Sequence, residues 1–89
     1  MRGIITVIGM DKIGIIARVS NLLAECKINI LDISQTIMGE YFTMIMMVDM
    51  EKMEFSLEEV KARLDKLGEE LGVSIKLQHE DIFRSMHRI

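Results

Sequence analysis

The strongest constraint in this sequence is a pattern that occurs twice. A β-branched or alternating run flanks a stretch whose apolar residues recur every three or four positions. Residues Gly3 to Gly9 read GIITVIG, a strand signature bounded by glycines. Beyond them, Ile16, Val19, Leu23 and Cys26 recur at steps of three, four and three. That spacing makes one helix face, widened by Ile15 and Leu22. Asp11 is the expected N-cap, which puts Gly14 within the first turn. Ser20, Asn21, Glu25 and Lys27 are expected to face water. Ile28 to Met38 reads INILDISQTIM, β-branched again, and Gly39-Glu40 fits a two-residue hairpin turn. Tyr41 to Met50 follows with apolar residues at every even position and mixed ones at the odd positions. The second helical stretch opens on Ser56 and Glu59, the spacing of a capping box. Leu57, Val60, Leu64, Leu67 and Leu71 form its stripe, and Gly72 is placed to end it. Val73, Ile75 and Leu77 then alternate with polar residues as a half-buried strand. Ile82, Phe83, Met86 and Ile89 close the chain at helical spacing.

The predicted order is strand, helix, strand, strand, helix, strand and a short helical tail. That is the split βαββαβ, ferredoxin-like pattern of the α+β class. It predicts a four-stranded antiparallel sheet of order 4-1-3-2 with both helices on one face. Residues 1–89 are expected to form a single domain, as their number suggests.

Composition narrows the function classes. Forty-nine per cent of residues are hydrophobic, there is no Pro, and Cys26 is the only cysteine. A disordered chain, a Pro-rich chain and a disulfide scaffold are excluded. The formal net charge of -3 argues against nucleic acid, whose non-specific binding depends on Lys and Arg. No apolar run approaches the ~18 residues of a membrane span. The first strand lacks the flanks of a signal peptide, so a cytoplasmic location without membrane association is expected.

The apolar fraction exceeds what one small core can hide, since a chain this short buries only about 60–65 % of its unfolded surface. Strands 1 and 3 are apolar on both faces, and two helices cover only one. The other face, with Ile45 and Met47, calls for a lid: the tail through Ile82, Phe83 and Met86, or another subunit. Strand 2, with Leu31, Ile33 and Ile37 and few charges, is the expected edge of a homodimer.

No catalytic site and no metal or cofactor site is expected. A metal-carrying version of this fold needs a Cys-x-x-Cys pair, and Cys26 lies on an apolar helix face as an inert thiol. Tyr41 and Phe42 are adjacent and point to opposite faces, so they cannot form an RNA-stacking platform. His79 and His87 have no nucleophile beside them in sequence. Glu58-Glu59 and Glu69-Glu70 read as a solvated helix face. The loop at Gly14 stands out. A glycine at a helix start costs up to ~1 kcal/mol relative to alanine and lets a group approach the backbone. Helix-start amides attract carboxylate or phosphate, while a tight strand-to-helix turn is the plain structural alternative.

Val7 to Ser34, VIGMDKIGIIARVSNLLAECKINILDIS, resembles the ACT domain. That family places Asp-x-Pro-Gly after the first strand and Gly-x-Asn-Ile before the second. Here these are Asp11-Lys12-Ile13-Gly14 and Lys27-Ile28-Asn29-Ile30, with Ile13 replacing the usual Pro. Asp32 to Asp49 is similar to small stand-alone ACT proteins of bacteria and archaea, themselves similar to halves of glycine-cleavage-system regulators. The resemblance implies a non-catalytic regulatory module that binds a small ligand, often an amino acid, at a homodimer interface. It carries ligand contacts over to Met10, Asp11, Lys12, Ile13, Gly14 and Ile15 of one subunit, and to Asn29 and Ile30 of the other. In that reading, amides around Gly14 hold a carboxylate, Asp11 pairs with an ammonium and Asn29 adds a hydrogen bond. Any regulated activity is then expected on a separate protein. The alternative is a ligand-free assembly module of the same fold.

Overall fold

The computed structural model describes residues 1–10 and 12–82. The elements run β1 (Arg2–Met10), α1 (Ile15–Glu25), β2 (Asn29–Met38), β3 (Tyr41–Asp49), α2 (Leu57–Leu71) and β4 (Val73–His79). The sheet is antiparallel with order β2-β3-β1-β4, the 4-1-3-2 order expected from the chain pattern. A helical turn follows at 80–82. The remainder of the expected tail, Phe83, Met86 and Ile89 included, lies outside the described residues.

Alternation in the strands sorts side chains between two faces. Phe42, Met44, Met46 and Val48 of β3 join Ile5 and Val7 of β1 and Ile75 and Leu77 of β4 under the helices. The helices close this core with Ile15, Val19 and Leu23 of α1 and Val60, Leu64, Leu67 and Leu71 of α2. Among the described residues, no polar or charged residue is buried. The molecule is a slab of 35 × 35 × 20 Å, consistent with one layer of helix on one layer of sheet.

The first helix departs from the periodicity reading. The buried stripe starts at Ile15, which is 2 % exposed, whereas Ile16 is 38 % exposed. Steps of four from Ile15 through Val19 to Leu23 follow the helix face that meets the sheet. Gly14, not Asp11, is the N-cap, and it lies before the helix rather than inside its first turn. Its φ of 91° is left-handed, a conformation glycine adopts without the penalty of a Cβ. Asp11 itself lies outside the described residues.

The far end of α1 carries a feature the spacing did not reveal. Ile28 N–H donates to the Leu23 carbonyl (2.9 Å), and Lys27 N–H to that of Ala24 (3.1 Å). This is a Schellman closure, which favours a left-handed residue after the helix. Lys27 occupies that position with φ 61°, and buried Ile28 folds back onto the core. Strand β2 therefore begins at Asn29, one residue later than expected. The α2 termini match expectation. Ser56 Oγ accepts from Glu59 N–H at 3.1 Å, and Gly72 closes the helix at φ 72°. The Glu59 carboxylate pairs with Arg63 at 3.4 Å, and the Arg63 guanidinium lies 4.1 Å over the Phe55 ring.

Candidate ligand site

Strand β1 delivers the chain to Met10 at one end of the sheet, and the loop turns there into α1. Gly14 caps the helix with backbone alone and supplies no side-chain hydrogen bond to the first amides of α1. The first intrahelical bond at this end runs from Arg18 N–H to the Gly14 carbonyl at 2.9 Å. The amides of Ile15, Ile16 and Ala17 precede it and are orphan donors by helix geometry. The first turn holds no acidic residue to offset the positive end of the helix dipole. A Cβ built on Gly14 would meet nothing described within 4 Å. Among the described residues it is the backbone conformation that demands glycine here.

The neighbouring positions divide. Ile13 is fully exposed and Met10 is 41 % exposed, whereas Ile15 is buried in the core and presents only its backbone. Lys12 is exposed. Its Nζ lies 3.0 Å from where a Gly72 Cβ would sit, at the C-terminal end of α2. A cation there complements the negative end of that helix's dipole.

Asn29 and Ile30 are not beside this loop. Asn29 pairs with Asp49, which pairs with Arg2 at the opposite end of the sheet. Met38, at the other end of β2, is level with Tyr41 and Met10. Eight antiparallel strand steps of about 3.4 Å separate the two levels, roughly 27 Å. Within one chain the structure thus brings together Met10 and Lys12 to Ile15, and leaves Asn29 and Ile30 distant. Ile30 is half-buried against the core. Asn29 lines a shallow depression with Lys27, Asp49, Glu51 and Lys52. Sequence reading passed over those four charged neighbours, because only the strand register sets Asp49 against Asn29.

Strand β2 is itself the other half of the picture. Nine of its ten residues are exposed, Ile30 being the exception. Its sole charged residue is Asp32, and the pairing skips Leu31 between Ile30 and Asp32, the mark of a bulge. Ile33 and Ile37, on the helix side, are 40 % and 54 % exposed because the helices stop short of this strand. Elsewhere, a surface groove between the helices holds the Arg18–Glu70 ion pair (2.6 Å) and shares no residue with the Gly14 loop. Cys26 is buried, and burial pushes its thiol pKa up, as an inert core thiol requires. Among the described residues, no His, Cys, Asp and Glu cluster could hold a metal ion. No described helix is long and apolar enough to cross a membrane.

Comparison with known proteins places this architecture. The family model described as ACT domain matches residues 3–78. The chain belongs to the ACT-domain family. Among its relatives is a UPF0237 protein of Clostridium acetobutylicum, 64 % identical over the whole of both chains. A UPF0237 protein of Methanocaldococcus jannaschii is 53 % identical, covering 99 % of this chain and 98 % of that one. Among solved structures, an ACT domain protein from Streptococcus pneumoniae is 42 % identical, with TM-score 0.81 and 93 % of each chain covered. The regulatory subunit of aspartate kinase from Thermus thermophilus, in its ligand-free form, is 28 % identical. It has TM-score 0.67 and covers 86 % of this chain and 50 % of that one. The ACT fold is a regulatory ligand-binding module, often for amino acids and often dimeric. In this ACT domain, the helix start at Gly14 and the β2 edge are two places where the described residues of a single copy leave backbone donors and apolar surface open.

Proposed function

We propose that this ACT domain is a non-catalytic regulatory module that binds a small ligand, an amino acid, between two copies of the chain. The observation that carries this reading is the split of the site. The Gly14 loop lies at one end of the sheet and Asn29 at the other, about 27 Å apart along the strands, with an exposed strand edge between them. A two-fold axis that pairs β2 antiparallel with its mate near Ser34 reverses one copy against the other. Asn29 of one copy is then level with Met38, and so with Met10 and the loop, of its partner. One pairing thus covers the bare edge and assembles two half-sites.

The chemistry follows from the groups so collected. Amides of Ile15 and Ile16 donate to a ligand carboxylate, Asp11 accepts from its ammonium, and Asn29 of the second copy adds a hydrogen bond. Exposed Ile13 offers apolar surface to a side chain. A ligand spanning both copies shifts the equilibrium toward the arrangement it binds better, by its differential affinity and no more. Such a domain signals to a separate protein through that arrangement.

Calorimetric titration with the standard amino acids, alongside thermal melts, tests the reading. At least one amino acid is expected to bind and raise the melting temperature, and Asp11→Ala and Asn29→Ala are each expected to weaken it. Unchanged affinity in both variants overturns the site. A dimer that no amino acid or small metabolite stabilises leaves the assembly module as the function.

A further inference from the structure

The face of the sheet away from the helices is apolar along its middle. Ile4, Ile8 and Met10 of β1 lie on it with Tyr41, Ile45 and Met47 of β3. Outer strands frame it with polar groups: Ser74, Lys76 and Gln78 on β4, and Asp32, Ser34 and Thr36 on β2. Exposure along this face is uneven. Ile4 is 5 % exposed, but Ile8 is 53 %, Ile45 41 % and Tyr41 61 %. At the Ile4 end, the turn at 80–82 brings Glu80 within 3.8 Å of Arg2. The bare half is the one nearest the Met10 loop.

We infer that this bare half is the contact surface for a second copy of the chain, through a two-fold axis parallel to the strands. Two observations select that occupant and that axis. The first is shape. In adjacent rows Thr6 is level with Ile45, and Ile8 with Thr43. A rotation about the strand direction exchanges β1 and β3, so that Ile8 and Ile45 of one copy meet Thr43 and Thr6 of the other. Large against small is what interdigitated sheet faces require. The second is charge. The same rotation lays β4 of one copy over β2 of the other, bringing Lys76 over Ser34 and beside Asp32, one pleat along. An axis across the strands would instead stack Lys76 strand on Lys76 strand. Such a contact is isologous and closed, and it uses a different surface from the β2 edge. A chain using both assembles as a tetramer.

Sedimentation or light scattering on the full chain separates the two contacts. Wild type is expected at the mass of four chains. Ile45→Glu, at an exposed position, is expected to halve that mass and leave amino-acid binding intact. Ile33→Lys on the β2 edge is expected to halve it as well but abolish binding. Lys76→Glu alone is expected to weaken the face contact, and Lys76→Glu with Asp32→Lys to restore it. A wild-type dimer that Ile33→Lys makes monomeric overturns the face contact and spares the edge; an unchanged mass for Ile45→Glu also overturns it. A mass unchanged by Ile33→Lys but halved by Ile45→Glu overturns the edge instead. If four chains assemble only after residues 83–89 are deleted, the face belongs to the chain's own C-terminus and the inference falls.

Discussion

The two βαβ halves of this domain share a layout and differ at every terminus. In the second half, α2 starts on a side-chain cap from Ser56, with Glu58 and Glu59 in its first turn. It ends on left-handed Gly72, and β4 alternates between buried and exposed positions with α2 packed over it. In the first half, α1 starts on Gly14 with no side-chain cap and no acidic residue. It ends with Lys27 in the left-handed position, and β2 runs exposed for nearly its whole length. The second half caps both ends of its helix with its own residues; the first leaves the start of its helix and the β2 edge bare in a single copy, where the proposed ligand and second copy would bind.

Four experiments sharpen or break that division. The largest effect is expected from Leu77→Ala in β4, 4 % exposed, at about 2–5 kcal/mol for a large-to-small core change. Ile33→Ala in β2 is expected to cost under ~1 kcal/mol in dilute solution, with a loss that grows with protein concentration as association is weakened. Urea denaturation at two concentrations reads both, and equal costs would erase the distinction between the halves.

Next come the termini. Gly14→Ala places a Cβ at φ 91° and is expected to cost about 1–2 kcal/mol, although nothing described lies within 4 Å. Ser56→Ala removes the α2 cap and is expected to cost about 1 kcal/mol. Lys27→Gly is expected to do the reverse and stabilise by about 1 kcal/mol, since φ 61° is costly for lysine. Thermal or urea melts of the three variants check these signs; a destabilised Lys27→Gly would show the lysine side chain itself holding the α1 terminus.

Cys26 tests the burial of the first half. Its folded pKa is raised by desolvation, so the neutral thiol is the form the fold favours. The contribution is full below the ordinary thiol range and is lost as pH rises through the raised folded value. Alkaline urea melts are expected to show that decline, and Cys26→Ala to flatten it. The smallest effect is the Arg18–Glu70 pair that links α1 to α2. Both side chains are half-exposed, so a double-mutant cycle is expected to give under ~1 kcal/mol, falling with salt.

Much of this was legible in the chain. The Ser56–Glu59 spacing and the leucine stripe of α2 placed that helix to the residue, because caps and periodicity are local. Alternation in β3 separated Met44 and Met46, both fully buried, from Ile45, which is 41 % exposed. The first helix was harder. Ile15 and Ile16 are chemically alike, and only the direction from which the sheet approaches decides which is buried. The left-handed Lys27 carried no local signal, since the residue usual there is glycine. For the site, the Asp11-to-Gly14 loop and Asn29 could be named from a resemblance, but not their separation.

The sequence by itself determined the order of elements, the sheet topology and the surplus of apolar surface. All three follow from short-range periodicity and from summing side chains. Tertiary structure decided where that surplus lies and what it leaves unfinished. It set the register that puts Asn29 at the far end from Gly14. It stopped the helices short of β2, and it turned Ile8, Tyr41 and Ile45 outward in one bare stripe. Those outcomes depend on which residues, distant in the chain, come to share a row of the sheet. No local pattern encodes that, because hydrogen-bond register and helix placement are settled only when the whole core closes.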